Sequence, residues 1–418
     1  MSTVISPLSS RFSEQHPLRL AYFVTHPIQY QAPLLRRIAR EPDIHLKVFF
    51  ACDISVRGHL DHEFGVRVKW DTDLLAGYEH EFLPVLRDAV DGQAPTFLRP
   101  LNRHVGRILR EGHFDAVWVH GYNYLTNLLA LRAARSMKIP RLIRAESTTY
   151  DRPRSQMKLL VKRAFFALLA PYVSAVLAVG DDNAAYWSGY FRDRLPIFPC
   201  CYAVDNQFFQ RKCSAASENR EEFRRSLGLQ AGRPVILFAA KLIPRKRCGD
   251  LLEAFLSLVQ TGGAQPAPYL LIVGDGEQRA ALEQQASRTN RGDIRFLGFR
   301  NQSEMPRLYD LCDVFVLPSA DEPWGLAVNE AMNAGRPVVV SDQVGCHKNL
   351  VQDGKNGFVF PVGDTAALAD SLSRVLAGDT GRQMGVESLR IIQDYSFDHN
   401  VLGLRAALEA LVPGFHAS

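Results

Sequence analysis

Residues 313–342 of the chain read DVFVLPSADEPWGLAVNEAMNAGRPVVVSD. An apolar run at 313–319 is followed by a polar loop, a helical stretch at 326–334 closed by Gly335, and a second apolar run at 336–342. Near-continuous apolar strands separated by a helix are typical of a parallel sheet that is covered on both faces. This stretch therefore predicts an α/β fold with a doubly wound parallel sheet.

The same alternation occurs elsewhere in the chain and forms two series. The strand-like runs of the first series lie at 18–26, 44–51, 114–120, 140–146 and 173–180, and those of the second at 234–240, 268–276, 294–299, 313–319 and 336–342. The polar segment between the series lacks a core strand pattern. We therefore expect a disordered leader at 1–17, Rossmann-like domains at 18–205 and 233–390, a linker at 206–232, and a helical segment at 391–418 that packs back toward the first domain.

Length and composition favour a globular protein of two large domains. The chain has 418 residues, of which 47% are hydrophobic and 22% charged, values unlike those of disordered or membrane-spanning chains. Its seven cysteines include no CxxC pair and no cluster with histidine, so neither a zinc site nor a disulfide framework is indicated. The N-terminus lacks the pattern of a signal peptide. We expect a cytoplasmic protein.

Basic residues are concentrated in the segment 132–163. It contains ten lysine and arginine residues against the two acids Glu146 and Asp151. Such a patch attracts an anionic membrane surface or nucleic acid, while a solvated helix face is the plainer interpretation. Aromatic residues are not interleaved with the charges, which counts against a nucleic-acid partner. Peripheral contact with the inner face of the membrane through this segment is therefore the alternative to a purely cytoplasmic location.

Two glutamates flank the Trp-Gly of the opening stretch. Glu322 is predicted in the strand-to-helix loop and Glu330 one turn inside the helix, while Gly325 allows a ligand to approach the backbone. Free amides at the helix start bind anions, and carboxylates bind sugar hydroxyls. A glycosidase-like pair would need carboxylates about 5 to 9.5 Å apart. Eight helical residues span about 12 Å, which disfavours hydrolysis without excluding it.

The motif PSADEPWGLAVNEAMNAGRPVVVSD (318–342) resembles the donor-site signature of family 4 glycosyltransferases, also called glycosyl transferases group 1. Four further segments look like the same family in the expected order: VGDGEQRAALEQQA (273–286), FLGFRNQSEMPRLYDLCDVFVLPS (296–319), DGKNGFVFPVGD (353–364) and YSFD (395–398). The resemblance covers essentially all of the C-terminal half. It implies the GT-B fold, in which two Rossmann-like domains face each other across a cleft.

The resemblance also implies a function. Members of this family are retaining, metal-independent glycosyltransferases, so we expect a hexosyltransferase that moves a sugar from a nucleotide-diphosphate sugar to an acceptor hydroxyl without a cofactor. A UDP-sugar is the expected donor, and a glycan or lipid-linked acceptor of bacterial polysaccharide or glycolipid biosynthesis is the expected partner. The first domain would bind the acceptor and the second the nucleotide sugar. A nucleotide-sugar epimerase or hydrolase of the GT-B fold, or a non-catalytic partner subunit, remains an alternative.

The resemblance assigns roles to residues of the second half. Glu330 matches the glutamate that holds the ribose hydroxyls, and Glu322 matches the one that contacts the donor sugar. Lys241 and Lys246 occupy the positions of an arginine and a lysine that stabilise the leaving diphosphate, on whose oxygens charge builds as the glycosidic bond breaks. Lys241 supplies a point charge where arginine would give a bidentate fork. The other donor-binding candidates are Trp324, Gly325, Leu326 and Gly274.

Candidates in the first half rest on a weaker resemblance. His120 ends a strand-like run and matches a histidine that faces the donor sugar, where it would hold the sugar and polarise the reaction centre. The alternative for a histidine at such a position is a bond to the backbone. His26, Gln29 and Tyr30 lie in the loop after the first strand, and Glu146 follows another strand. We expect these four residues on the acceptor side.

Asp71 and Asp73 have the Asp-x-Asp spacing of the metal site in the other large glycosyltransferase fold. Three-residue patterns of this kind arise by chance, and no other feature of the chain supports that fold. We therefore expect no metal site here.

Overall fold

The computed structural model describes residues 11–61, 65–91, 93, 95–148, 155–288 and 292–416. These residues form two α/β domains, each built on one sheet of parallel strands with helices on both faces. The fold class predicted from the opening stretch is thereby confirmed.

The first domain contains a seven-stranded parallel sheet and two small antiparallel pairs. Its strands are β1 (Leu18–Val24), β2 (Ile44–Phe50), β3 (His59–Asp61), β4 (Val66–Val68), β5 (Glu79–Phe82), β6 (Val85–Arg87), β7 (Leu101–Asn102), β8 (Ala116–His120), β9 (Arg141–Arg144), β10 (Ala175–Ala178) and β11 (Ile197–Pro199). The order in the large sheet is β11-β10-β9-β8-β1-β2-β5, and β3 pairs with β4 and β6 with β7. The order reverses beside β1, which is where open α/β sheets bind ligands.

In the part of the first domain that the structure describes, six α-helices connect these strands. They are α1 (Ala32–Ile38), α2 (Ile54–Arg57), α3 (Val105–Glu111), α4 (Leu125–Ser136), α5 (Gln156–Leu169) and α6 (Asp181–Phe191). A short 3-10 turn at Ala170–Tyr172 follows α5, because Pro171 stops the helix before β10 begins.

The second domain contains a six-stranded parallel sheet with the order β14-β13-β12-β15-β16-β17. Its strands are β12 (Val235–Ala239), β13 (Tyr269–Val273), β14 (Ile294–Gly298), β15 (Val314–Leu317), β16 (Val338–Ser341) and β17 (Gly357–Phe360). The helices that follow α6 in the chain are α7 (Asn206–Ser217), α8 (Arg220–Ser226), α9 (Cys248–Gln260), α10 (Arg279–Ser287), α11 (Met305–Leu311), α12 (Leu326–Asn333), α13 (His347–Leu350), α14 (Thr365–Leu376), α15 (Thr380–Ile392) and α16 (Phe397–Leu411).

Each sheet separates two hydrophobic cores, as the unbroken apolar runs require. Along β1, Leu20 and Tyr22 point into one core, while Ala21 and Phe23 point into the other. The strand β12 alternates in the same way. Since successive strand side chains point to opposite faces, a strand buried on both faces has no polar positions.

The structure differs from the linker predicted at 206–232, because the first part of this segment is packed in the second domain. Residues 206–217 form α7, whose first turn is capped by the Asp205 side chain, which accepts the Phe208 amide at 2.8 Å. Phe209 and Cys213 lie one turn apart and are buried in a core of the second domain. The apolar residues of this polar segment are therefore spaced for a helix, a pattern that a search for strands does not detect.

The predicted leader also differs from the structure in its described part. Phe12 is buried and packs edge-on against Phe415, with ring centroids 6.0 Å apart, and the Arg11 amide donates to the Gly414 carbonyl at 2.9 Å. Residues 1–10 lie outside the described residues. The helix α16 lies against α1 and β11 of the first domain, so the chain returns to that domain at its end.

Candidate functional site

The carboxyl ends of the two sheets face each other across a cavity of about 390 Å³. The first domain lines it with the loop after β1 and with Trp70, and the second domain with the segments that follow β12, β13 and β14 and with α12. The lining side chains and backbone include those of Gln29, Tyr30, Trp70, Lys241, Gly274, Phe299, Leu326 and Glu330. The topology therefore brings residues from distant parts of the sequence to one crevice, as open parallel sheets do.

A second hollow, of about 480 Å³, adjoins this cavity. Tyr30 and Leu326 line both, so they mark the place where the two compartments meet. The second hollow is lined in addition by Glu146, Tyr202, Arg245, Glu322, Trp324 and Gly325. The predicted donor residues are thus divided between two adjoining compartments.

Glu330 lies in the first cavity, one turn inside α12. The Tyr309 hydroxyl donates to its Oε2 at 2.6 Å. Burial raises the pKa of this carboxyl to about 7, against the opposing effect of the Tyr309 hydrogen bond. A carboxyl group in this position can accept hydroxyl donors from a ligand, and it binds them more strongly when it is ionised.

Gly274 lines the first cavity and Gly325 the second hollow, and at both positions the absence of a side chain exposes the backbone. At Gly274, with φ of +135°, a Cβ atom would lie 1.9 Å from the Ala240 carbonyl oxygen. At Gly325, with φ of +97°, it would lie 2.9 Å from the Leu317 side chain. Any other residue would therefore separate the strand ends at Gly274 and disturb the start of α12 at Gly325.

The two lysines predicted to stabilise a diphosphate both pair with carboxylates. Lys241 lines the first cavity, and its Nζ lies 3.0 Å from both carboxylate oxygens of Asp61 in the first domain. Lys246 donates to Glu322, and Arg245 lies 3.9 Å from the same carboxylate oxygen. Lys241 lines the first cavity, whereas Lys246 lines neither compartment, and in this structure the charge of each is balanced by a protein carboxylate.

Glu146 is at the centre of a hydrogen-bond network on the first-domain side. Its Oε1 accepts the Tyr30 hydroxyl at 2.5 Å and also the Tyr202 hydroxyl, and His120 Nε2 lies 3.9 Å away. Burial opposes ionisation, but the nearby His120 ring and the hydrogen bonds from the Tyr202 and Tyr30 hydroxyls lower the pKa of Glu146 to about 2. Glu146 is therefore a carboxylate at neutral pH, with one edge facing the second hollow.

The structure places His120 differently from the prediction. Its side chain is about 10% exposed, it lines neither compartment, and the Tyr202 hydroxyl lies 3.4 Å from its Nε2. Burial lowers its pKa, with Glu146 opposing that effect. The His120 ring contacts Gln31 and Tyr202. Seen from the second hollow, it therefore lies behind Glu146 and Tyr202, the neighbouring side chains that do line that hollow.

Two of the three candidates in the loop after β1 line a compartment and the third does not. Gln29 lines the first cavity and Tyr30 lines both compartments, whereas His26 lines neither. Trp324 lines the second hollow with part of its surface only, since it is 2% exposed and its ring fits against Gly180. Trp324 therefore also packs the two domains together.

Sequence reasoning missed Tyr202, Trp70 and Arg245. Tyr202 follows β11 at the domain boundary, and an aromatic residue just after a strand was the only available signal for it. The Trp70 ring lies 6.3 Å from that of Phe299 in the other domain. Its position depends on contacts between residues more than 200 positions apart, which no local pattern reveals.

The aspartates of the Asp-x-Asp pattern have structural roles. Asp71 accepts the Ser303 amide at 3.1 Å, and Asn301 donates to the Lys69 carbonyl at 2.9 Å, so this loop joins the domains beside the first cavity. Asp73 accepts the amides of the next turn of chain. Within the described part of the chain, no group of three or more His, Cys, Asp and Glu side chains is arranged to hold a metal ion.

The helices of the described residues differ in length and polarity from membrane-spanning helices. None of them combines the length and the apolar character that crossing a bilayer requires.

Comparisons with known proteins agree with this architecture. A glycosyltransferase of Methanocaldococcus jannaschii without an assigned substrate is 34% identical over 186 residues, which are 44% of this chain and 46% of that protein. The alpha-monoglucosyldiacylglycerol synthase of Acholeplasma laidlawii is 32% identical over 151 residues, 36% of this chain and 37% of that protein. Among solved structures, Anabaena HepE in complex with UDP and glucose has a TM-score of 0.68 at 20% identity, covering 94% of this chain and 100% of that chain.

The chain thus spans less than half the length of the two curated relatives, and the solved structure is similar in its fold. That shared fold is GT-B, with two parallel-sheet domains facing across a cleft. The family described as glycosyl transferases group 1 matches residues 219–388. These residues of the second domain are therefore similar to the glycosyl transferases group 1 family, while the likeness of the whole chain to solved structures is one of fold.

Proposed function

We propose that the chain is a retaining, metal-independent hexosyltransferase that moves a sugar from a nucleotide-diphosphate sugar to an acceptor hydroxyl. The single observation that carries the proposal is the first cavity, in which the Glu330 carboxylate lies near the start of α12 together with Gly274 and Lys241. A UDP-sugar is the favoured donor, and the complex of the similarly folded HepE with UDP supports this choice. The acceptor is a glycan or a lipid-linked glycan of polysaccharide or glycolipid biosynthesis.

In this proposal each compartment binds one part of the donor. The nucleoside occupies the first cavity, with its ribose hydroxyls donating to Glu330. The diphosphate lies where the compartments meet, near Lys241, Lys246 and the free amides at the start of α12. The sugar extends into the second hollow, where Glu322 accepts its hydroxyls.

The reaction breaks the bond between the anomeric carbon and the diphosphate oxygen. Negative charge builds on that oxygen, and the two lysine ammonium groups stabilise it more in the transition state than in the ground state. The acceptor oxygen attacks from the same face and forms the new glycosidic bond, while its proton passes to the departing phosphate oxygen. The configuration at the anomeric carbon is thereby retained.

Glu146 binds an acceptor hydroxyl in this account and does not remove its proton. With a pKa of about 2 the carboxylate is a weak base near neutral pH, but it is a strong hydrogen-bond acceptor. Tyr30 and Tyr202 hold it by donating to the same oxygen.

The direct test of the proposed function is product analysis with each candidate sugar nucleotide and a mixture of glycan acceptors. We expect nucleoside diphosphate release that rises when the correct acceptor is present, a product with the anomeric configuration of the donor, and unchanged turnover in the presence of EDTA. An epimerase or hydrolase would turn over the donor at the same rate without any acceptor. An inverted product would contradict the retaining mechanism.

Donor binding must compete with the ion pair between Lys241 and Asp61. We predict that Asp61→Asn increases the affinity for the nucleoside diphosphate about threefold to tenfold, since a partly buried carboxylate that pairs with Lys241 and repels phosphate is removed. Calorimetric titration measures this change. The matched control is Asp88→Asn, which removes an exposed carboxylate of the same domain and should leave the affinity unchanged. Unchanged or weaker binding by Asp61→Asn would contradict a phosphate role for Lys241.

The raised pKa of Glu330 predicts a pH dependence of nucleoside binding. Ribose hydroxyls bind the ionised carboxylate, so affinity should increase as the pH rises through about 7 and level off above it. Between about pH 6 and 8 the ionised fraction grows about tenfold, and the association constant should follow it. Uridine is the suitable ligand because it carries no phosphate that titrates in this range. The Glu330→Gln variant should show a flat profile, and a similar slope in both proteins would contradict the assignment.

A further inference from the structure

The helix α5 has an apolar stripe that faces away from the protein. Met157, Leu160, Val161 and Leu168 are 75%, 63%, 66% and 73% exposed. At 3.6 residues per turn these positions lie on one face of the helix, and the buried Phe166 lies on the opposite face. Single exposed apolar residues are ordinary, but a stripe along three turns of one helix is not.

An apolar groove next to α5 extends this stripe. The groove, of about 330 Å³, lies between α4 and α5 and is lined mainly by leucine and aromatic side chains, among them Leu125, Leu128 and Phe165. Leu168 belongs both to the stripe and to the groove. At the start of α4 the Leu125 amide donates to the Phe97 carbonyl at 2.9 Å, and the Phe97 side chain is 48% exposed. The apolar surface therefore runs from α5 to the first turn of α4, five residues beyond the end of β8.

Cationic side chains flank the stripe. Lys158 and Arg163 are exposed and, from the helical period, lie on opposite sides of it. In the described residues of 125–169 the basic residues are the buried Arg144 and seven that are exposed or half-buried, namely Arg132, Arg135, Lys138, Arg141, Lys158, Lys162 and Arg163. The one acidic residue of these ranges is Glu146, which belongs to the site already described. Residues 149–154 of the predicted basic segment lie outside the described part. The surface around the stripe is thus apolar at its centre and positive at its edges.

This combination identifies the kind of partner. A second copy of the chain docked through the same stripe would bring the cationic flanks of the two copies together, which like-charge repulsion disfavours. An anionic bilayer surface matches both features, because apolar side chains enter the boundary between headgroups and acyl chains while lysine and arginine extend to the lipid phosphates. We propose that α5 docks on an anionic lipid surface through its apolar stripe, with Lys158 and Arg163 binding the headgroups.

A role of this surface in acceptor entry rests on the proposed function, whereas docking of α5 on lipid does not depend on that function. If the acceptor is lipid-linked, docking through α5 would bring the groove and the first turn of α4 to the bilayer from which the acceptor enters. Vesicle binding requires no nucleotide, so it is measured separately from transfer.

The experiment is flotation of the full-length protein with vesicles of phosphatidylcholine containing about 30% phosphatidylglycerol, and with vesicles of phosphatidylcholine alone. We expect binding to the anionic vesicles to be at least about tenfold stronger, and to weaken as salt is raised. Replacing Leu160, Val161 and Leu168 by glutamine should lower binding on the order of tenfold or more at every salt concentration. Lys158→Gln with Arg163→Gln should lower it on the order of tenfold at low salt and reduce its salt dependence.

The matched control is the double replacement Val386→Gln with Leu402→Gln. These residues are 63% and 61% exposed, and lie on α15 and α16, so they match the stripe in exposure but not in location. This variant should bind vesicles like the parent, and circular dichroism and nucleotide titration should show all variants to be folded. Absence of parental binding to anionic vesicles at low salt would overturn the proposal, as would parental binding by the stripe variant. A parental dimer that becomes a monomer only in the stripe variant would also overturn it, in favour of a second copy as the partner.

Discussion

Replacing Lys246 by methionine should reduce the turnover number of sugar transfer on the order of hundredfold to thousandfold, the loss typical of removing one charge-stabilising donor from a transition state. Lys246 donates to Glu322 beside the place proposed for the diphosphate, and Arg245 lies 3.9 Å from the same carboxylate oxygen. The loss should appear in kcat more than in KM for the donor, because the charge on the leaving oxygen develops during bond breaking.

The controls for this result separate chemistry from folding. Lys355→Met removes an exposed lysine of the same domain and should leave kcat unchanged. Lys246→Arg keeps the charge and should recover part of the loss. A kcat of Lys246→Met within about threefold of the parent would exclude Lys246 as a group that stabilises the leaving diphosphate.

The second large effect concerns nucleotide binding. Glu330→Gln keeps the shape of the side chain and removes its charge, so the ribose hydroxyls lose a charged acceptor. We expect the affinity for the nucleoside diphosphate to fall about tenfold to hundredfold, as for hydrogen bonds to ionised groups. The variant should fold normally, because a neutral amide is easier to bury than the carboxylate whose pKa burial raises to about 7.

A double-mutant cycle locates the contact. The parent should bind the 2′-deoxy nucleotide more weakly than the ribonucleotide, while Glu330→Gln should bind both nearly equally. Glu253→Gln, at an exposed position of α9, is the matched control and should behave like the parent. If removal of the 2′-hydroxyl weakens nucleotide binding by the same factor in the parent and in Glu330→Gln, that hydroxyl does not bind Glu330.

Much of the second domain could be predicted because its determinants are local. Between Val314 and Ser341, apolar runs mark the two strands and Gly325 marks the start of α12, and the structure has these elements within a few residues of the prediction. The family resemblance puts Gly274 among the donor-binding candidates, and the structure has it in the lining of the first cavity, where its positive φ lets the backbone approach Ala240. Each of these features depends on neighbours within one βαβ unit.

The first-domain site was harder to predict because its contacts join distant segments. That His120 would lie behind Tyr202 could not be known, since the two residues are 82 positions apart. The pairing of Lys241 with Asp61 spans 180 positions and crosses between the domains. A sequence pattern specifies the strand after which a residue lies, but the packing of several loops decides which side chain reaches the cavity.

The measurement that tests the central claim most directly is calorimetric titration of the purified protein with UDP, GDP, ADP and CDP. We predict that one diphosphate, with UDP favoured, binds at a single site, that Glu330→Gln weakens this binding at least about tenfold, and that Asp61→Asn strengthens it. Failure of a folded sample to bind any of the four, or equal binding by the parent and Glu330→Gln, would contradict the assignment of the cavity between the domains as the nucleotide site.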